Sequence, residues 1–398
     1  MSPMKLPRLS FWTAIFWLVM AMGAYAAFVR FTQGLGAASN LTDEYPWGLW
    51  IGFDVLCGVG LAAGGFVVAA SVYIFNLDRY KPILRPAVLT AFLGYILVIV
   101  GLMFDLGRPW NIWHPIIMWN PHSVMFEVGW CVMIYTTVLA LEFSPMVFER
   151  FGLTKLNKIV HSVTIPLVIL GVILSSLHQS SLGSLFLIVP GKLYPLWYSS
   201  NLPYLFFISA ISVGPAMVTV ESYFSSRAFG REIEMPILSK LGKVSAVALA
   251  VYLVLKIEDI VNMNLYSYVF AANFEAAMYW IEIGLGVLVP IVLLSMEKIR
   301  TSKRGIFVAS IFVVFGFIFN RLNLSLTALQ HYTPTSYFPS MLEVTVTLMI
   351  VALGFAAFRL AAKHLPVFPK EHEPSKVVAE PVPYDVISFV DVPESANN

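Results

Sequence analysis

Carboxylic acids set inside otherwise apolar runs are the first residues in this 398-residue chain that could do chemistry. Asp54, Glu127 and Glu282 each interrupt a long hydrophobic stretch, and Asp105, Glu258, Asp259 and Glu343 stand at the ends of others. An ionisable group near the centre of a bilayer costs about 2.5–3.5 kcal/mol on insertion scales, so each one needs a reason to be there. Neutral carboxyl groups in such places are suited to exchanging protons. The competing reading is ion pairing, as Glu258 or Asp259 could achieve with Lys256 or Arg321. The acids outnumber the bases within reach, which leaves some of them neutral or solvated.

Glu127 and Glu142 share one apolar run. On a helix their separation places them about 60° apart around the axis and about 22 Å apart along it, most of the hydrocarbon thickness. Two readings follow for Glu142: the inner end of a hydrated proton path, or an interfacial residue facing headgroups. The run Ser175-Ser176-Leu177-His178-Gln179-Ser180-Ser181 offers hydroxyl, imidazole and amide groups within about two turns, which suits a carbonyl-bearing ligand with an apolar body. Asp105 and Arg108 flank a tight turn, either neutralising each other or contacting a ligand.

Metal and haem chemistry find little support. The two cysteines, Cys57 and Cys131, lie in apolar runs and cannot supply the four thiolates of an iron–sulfur cluster; they read as buried thiols. Of the seven histidines, His161 and His178 fall at opposite ends of one run and cannot ligate the same iron. His122 and His178 form the remaining arithmetic pair at equal depth.

The elements that must carry these residues are membrane helices. Hydrophobic residues make up 58% of the chain and charged residues 12%, with a mean hydropathy of +0.78. That is about half the charge of a soluble domain, and it excludes disorder and nucleic-acid binding. About ten stretches are long enough to span a bilayer: 11–29, 49–75, 86–104, 123–143, 160–178, 203–225, 243–260, 275–296, 305–323 and 341–362. The seventh is interrupted by Lys256, Glu258 and Asp259. The expectation is an all-α polytopic membrane protein. If the N-terminus is cytoplasmic, all but Arg30, Arg108, Lys192, Lys256 and Arg321 of the 25 basic residues fall on the cytoplasmic side, as the positive-inside rule asks. Both termini are then cytoplasmic, and the embedded acids gather in the outer third of the membrane.

The first span resembles a signal peptide, with Lys5 and Arg8 before it and Ala24-Tyr25-Ala26 within it. Its apolar run exceeds a typical leader, so it is read as retained. Residues 365–398, rich in Pro, Glu and Val, read as a flexible cytoplasmic tail on a transmembrane domain of residues 1–364. The loop from Leu182 to Tyr198 is too apolar to be free in solvent and is expected to lie on the membrane or under a partner.

Four motifs in order resemble the NrfD/polysulfide-reductase membrane subunits. Asp105-Leu-Gly-Arg-Pro-Trp110 and Ser123-Val-Met-Phe-Glu127 resemble the family signature; Tyr45-Pro-Trp-Gly-Leu-Trp50 with Asp54 and Gly64-Gly65-Phe66, and His178-Gln-Ser-Ser-Leu-Gly-Ser184, resemble its HybB-type branch. That branch contains the membrane subunit of nickel–iron hydrogenases. The resemblance runs from about residue 10 to 362 and implies two four-helix bundles, about 46–178 and 203–323, with peripheral helices. It implies a quinone-reactive subunit, with menaquinone or another quinone as substrate and no redox centre of its own. Its implied partners are membrane lipids, a periplasmic ferredoxin-like iron–sulfur subunit, and a catalytic subunit such as a nickel–iron hydrogenase, a molybdopterin enzyme or a multihaem cytochrome c. The implied place is the bacterial inner membrane. Some family members carry the name cytochrome b, against which the histidine arithmetic stands.

On that reading Glu127 and Asp54 exchange protons, Glu142 extends their path, and His178, Arg108, Asp105 and Gln179 neighbour the quinone. Asp259, Glu282 and Arg321 form a polar cluster in the second bundle. Two other classes remain open: a secondary transporter using intramembrane carboxylates, and a passive anchor whose acids are structural.

Overall fold

A helix that crosses lipid satisfies its backbone polar groups internally, and ten long helices make up most of the described residues. In the computed structural model, which describes residues 10–45 and 47–368, they are α1 (Phe11–Gln33), α2 (Trp50–Ile74), α3 (Lys81–Asp105), α4 (Val124–Phe151), α5 (Thr164–Ser184), α6 (Leu202–Phe229), α7 (Met235–Asn262), α8 (Phe274–Ser295), α9 (Lys303–Gln330) and α10 (Met341–His364). Among the described residues, nine helices are long and apolar enough to cross a membrane. The remaining helix of the ten, α7, is the one whose sequence carries Lys256, Glu258 and Asp259; it continues through them as one 28-residue helix, with Lys256 and Asp259 buried.

Helices α2 to α5 pack in sequence around one centre and α6 to α9 around a second, and the two groups join along α5 with α6 and along α2 with α6 and α9. One continuous core, including Val59, Tyr95, Tyr135, Val213, Leu249 and Val313, runs through both groups. Helices α1 and α10 pack on each other and against α3 from outside. Two ends of this assembly are chemically distinct. One carries Asp105, Trp110, Trp113, Trp119 and Trp197 and is called the aromatic end; the other carries Lys81, Arg85, Arg150 and Lys243 and is called the basic end.

Four stretches wind as π-helix: Trp50–Cys57 and Ala70–Ile74 in α2, Gly284–Leu288 in α8, and Asn323–Thr327 in α9. Such turns rotate the following side chains off the regular face and recur at functional sites. Asp54 lies in the first, while Glu282 and Arg321 immediately precede the last two.

Two expectations are corrected. The loop from Leu182 to Tyr198 is covered by this chain itself: Phe186, Tyr194 and Trp197 are each at most 2% exposed. It wedges between the bundles, Phe186 against Trp47 and Phe206 and Trp197 against Tyr279, with Tyr194 N donating to Ala328 O at 2.9 Å. The exposed apolar loop lies instead between α3 and α4, where Trp110, Ile117, Met118 and Trp119 are each at least 60% exposed. Of the tail expected from residue 365, the described start packs against the helices: Val367 is buried and Arg85 Nη1 donates to Pro366 O at 2.9 Å. Residues 369–398 of that tail, like Lys5, Arg8 and Pro46, lie outside the described residues.

Candidate functional site

An apolar cavity of about 390 Å3 lies in the first bundle near the aromatic end, between α2, α3, α4 and the end of α5. Trp47, Leu56, Val98, Val132, Leu182 and Phe186 wall it, and Arg108 and Asn111 supply polar groups. Arg108 is exposed, and its side chain makes no hydrogen bond or ion pair among the described residues. A flat ring with a long apolar substituent fits such a lining, and an unpaired guanidinium is a ready donor to a carbonyl oxygen.

The floor of this cavity sits on a polar layer. Val98, Val132 and Leu182 stand one helical turn, about 5 Å, toward the aromatic end from Tyr95, Tyr135 and His178 on the same three helices. The Tyr95 hydroxyl and His178 Nδ1 share a hydrogen bond of 2.9 Å. The Tyr95 and Tyr135 rings meet edge to face at 4.7 Å, and the Ser175 hydroxyl lies against both phenols. All four side chains are at most 1% exposed, and His178 Nε2 has no partner. A buried polar atom left open is a costly feature, and here it belongs to a group that can take or give a proton.

Toward the basic end the line reaches Glu142. Gly171 of α5 faces both groups: a methyl placed on it would make ordinary contact with Glu142 Oε1 at 3.4 Å and with the Tyr135 ring at 3.6 Å. Glu142 lines a second cavity, of about 110 Å3, with Tyr73, Arg85 and His161.

The other expected site residues are distributed around this axis. Asp54 is 5% exposed and turns away from the cavity: Thr347 of α10 donates to its Oδ2 at 2.6 Å, and it packs so closely on α3 that a methyl on Gly101 would lie 2.7 Å from its Cβ. Glu127 sits in the first turn of α4 after the Ser123 cap, exposed on the surface of the chain, and accepts from the Ser181 hydroxyl. Its neighbours Met125, Val128 and Gly129 line the cavity. Gln179 Nε2 donates to Val59 O at 3.2 Å, which ties α5 to α2. Asp105 has Arg30, rather than Arg108, as the cation beside it. Tyr95, Tyr135 and Ser175 were absent from the expected set.

In the second bundle Glu282 is 1% exposed and accepts three N–H donors: Trp197 Nε1 at 2.8 Å, Asn320 at 2.8 Å and Asn323 at 2.8 Å. Asn320 also takes Arg321 Nη1 on its carbonyl oxygen at 2.6 Å, so one amide joins acid to base. Arg321 further donates to Ser209 at 2.7 Å and stacks over the rings of Phe206 and Phe317. The expected ion pairs of Glu258 and Asp259 do not form among the described residues: Asn201 donates to Asp259 at 2.9 Å, and exposed Glu258 takes Asn262 at 3.4 Å.

A bis-histidine haem needs two imidazoles facing each other at one depth. His178 is the buried one among the described histidines, and Tyr95 holds its Nδ1; His114 is half-buried, and His122, His161, His331 and His364 are exposed. The described residues do not fit such a group. Cys57 and Cys131 are buried free thiols.

The model of the family described as Polysulphide reductase, NrfD, matches residues 37–333. A protein of Nitratidesulfovibrio vulgaris is 41% identical over 361 residues, 88% of this chain and 92% of that one. The probable Ni/Fe-hydrogenase 2 b-type cytochrome subunit of Escherichia coli K12 is 35% identical over 364 residues, 87% of this chain and 91% of its own. The menaquinone reductase integral membrane subunit of Nitratidesulfovibrio vulgaris is 30% identical over 399 residues, 93% and 94% of the two chains.

Proposed function

The chain belongs to the polysulphide reductase NrfD family, and on that premise we propose that it is the quinone-reactive membrane subunit of a respiratory redox complex. The observation that carries this reading is the apolar cavity with an unpaired Arg108 at its mouth and a buried tyrosine–histidine layer one turn below its floor. Quinone chemistry moves two electrons and two protons. The electrons come from or go to a partner, an iron–sulfur subunit docked at the aromatic end with a catalytic subunit beyond it. The protons are this chain's business.

Arg108 holds the head-group carbonyl by a charge-assisted hydrogen bond. Tyr95 and His178 pass protons toward Tyr135 and Ser175, and Glu142 exchanges them with the second cavity at the basic end. Glu127 with Ser181 stands on the cavity's other flank, where a proton leaves to the aqueous phase of the aromatic end. Asp54 and Gln179 hold α10 and α2 in place beside the cavity. The aromatic end faces the periplasm and the basic end the cytoplasm, in a bacterial inner membrane, because basic loops are retained inside. The described histidines do not fit a bis-histidine haem, so this reading routes the electrons through the partner.

Quinol turnover by the purified intact complex tests the reading. Arg108→Leu raises the KM for a short-chain quinol about tenfold, the loss of one charge-assisted bond, with subunit composition unchanged. Wild-type kinetics in Arg108→Leu and in Tyr95→Phe together would falsify the assignment of this cavity.

A further inference from the structure

Arg30 of α1 belongs to the sequence features that the proposed function leaves unused. It is 2% exposed, and its side chain reaches across to the end of α3, where Nε donates to Phe104 O at 2.6 Å and Nη2 to Leu106 O at 2.5 Å. The last carbonyls of a helix lack donors of their own, and a cation there is favoured by the helix dipole. Arg30 therefore caps α3 from a different helix. It is also the charge beside Asp105, whose Oδ1 is buried and without a hydrogen-bond partner.

The capped turn leads directly to the cavity. Leu106 and Arg108 both line it, and Arg108 follows Asp105 by three residues. Opposite charges in one short turn at a helix end attract each other. In a chain without a cation at position 30, the nearest one to Asp105 in this turn is Arg108. In the structure Arg30 takes the two carbonyls and is the charge beside the acid, and Arg108 makes no ion pair and stands at the cavity mouth.

We propose that Arg30 is a positioning residue that keeps Arg108 free for the ligand, by capping the α3 terminus and supplying the positive charge beside Asp105 in its place. The proposal rests on the cavity being the quinone site with Arg108 as its head-group contact. It assigns the peripheral helix α1 a part in substrate affinity, although α1 contributes no side chain to the cavity lining.

The test is steady-state quinol kinetics of the intact complex carrying Arg30→Gln, Arg30→Lys and the double variant Arg30→Gln/Asp105→Asn. Arg30→Gln raises KM about tenfold, as loss of the Arg108 contact does, with kcat within about twofold. The double variant returns KM most of the way to wild type, because no acid remains to draw Arg108 from the mouth. Arg30→Lys, which keeps the charge without the two-armed bond, retains a near wild-type KM and serves if the glutamine variant does not accumulate. A purely structural cap gives another pattern: Asp105→Asn brings no relief, and Arg30→Lys is as impaired as Arg30→Gln. That pattern, or a wild-type KM in Arg30→Gln, overturns the proposal. If Arg108→Leu itself leaves KM unchanged, the cavity assignment fails, whereas an impaired Arg108→Leu beside an unaffected Arg30→Gln removes only the role of Arg30.

Discussion

In the first bundle an apolar cavity of about 390 Å3 lies one turn from an imidazole nitrogen with no partner, whereas in the second the space left beside Glu282 is about 20 Å3. That is room for a single water. Both bundles contain π-helical turns next to buried ionisable groups, so the raw materials are alike. The second bundle closes them into a network in which Trp197, Asn320 and Asn323 saturate Glu282, and Arg321 is stacked and bonded. The first leaves both space and open valence. Saturation makes a buried charge structural, and an open group beside a cavity makes it available for exchange.

The comparison breaks most visibly at Glu282. Glu282→Leu leaves Lys256 and Arg321 buried without the acid, at an expected cost of about 3–5 kcal/mol, read as loss of accumulation or a large fall in thermal stability in detergent. Glu282→Gln, whose one amide oxygen still accepts from Trp197 and Asn323 while its NH2 meets the Asn320 donor, loses one contact, costs less than the leucine and accumulates. A stable, normally assembled Glu282→Leu protein would show that the network is not what holds the second bundle. In the first bundle the pattern is expected to invert. Tyr95→Phe removes one hydroxyl from a layer that tolerates an open atom already, so the complex assembles, while quinol turnover falls about a hundredfold or more, as loss of a proton-transferring group does.

A smaller effect tests the cavity itself. A Cβ on Gly129 of α4 would meet its nearest neighbour, Pro115 Cγ, only at 4.0 Å, so Gly129→Val extends into the cavity without displacing its wall. The quinol KM is expected to rise about tenfold, the scale of a methyl-sized mismatch in a hydrophobic pocket, with thermal stability unchanged. An unaltered KM would move the binding site elsewhere.

Much of the frame was legible because lipid imposes it. Apolar runs marked all ten helices, and the charge scarcity made Asp54, Glu142, His178 and Glu282 visible. Depth was the harder quantity. The start of α4 was read correctly at Ser123, whereas α7 was read as beginning at 243 although it starts at Met235, with Lys240 and Lys243 inside the helix near the basic end. Tyr95 and Tyr135 were invisible, since a tyrosine in an apolar span has no signature apart from ordinary packing until its neighbours are known. Apolarity also said that the Leu182–Tyr198 loop had to be covered but not by what; the cover is the chain's own α2, α6, α8 and α9. Arg30 and Arg108 were assigned to the same outer side, and nothing in their spacing showed which of them would take Asp105.

The smallest expected effect concerns how the first bundle is held by its neighbour. Tyr337, in the segment between α9 and α10, donates to Glu343 Oε1 at 2.6 Å and accepts from Leu49 N at 2.9 Å, while Glu343 completes the cap of α10 with Ser340. This ties the start of α2, and with it the Trp47 side of the cavity, to the peripheral helix. Burial and the adjacent Glu343 push the Tyr337 phenol above its ordinary range. A raised folded value means the contribution is complete while the unfolded phenol is still neutral. It is lost as pH climbs above the ordinary tyrosine value of about 10, because only the unfolded chain then ionises. Tyr337→Phe should therefore cost about 1 kcal/mol at neutral pH, one neutral hydrogen bond, and be less sensitive to alkali than the wild type between roughly pH 9 and 11. Parallel thermal melts across that range decide it: two curves that fall in step would mean that the phenol does not anchor α2 to α10, and that the first bundle keeps its cavity open by its own packing.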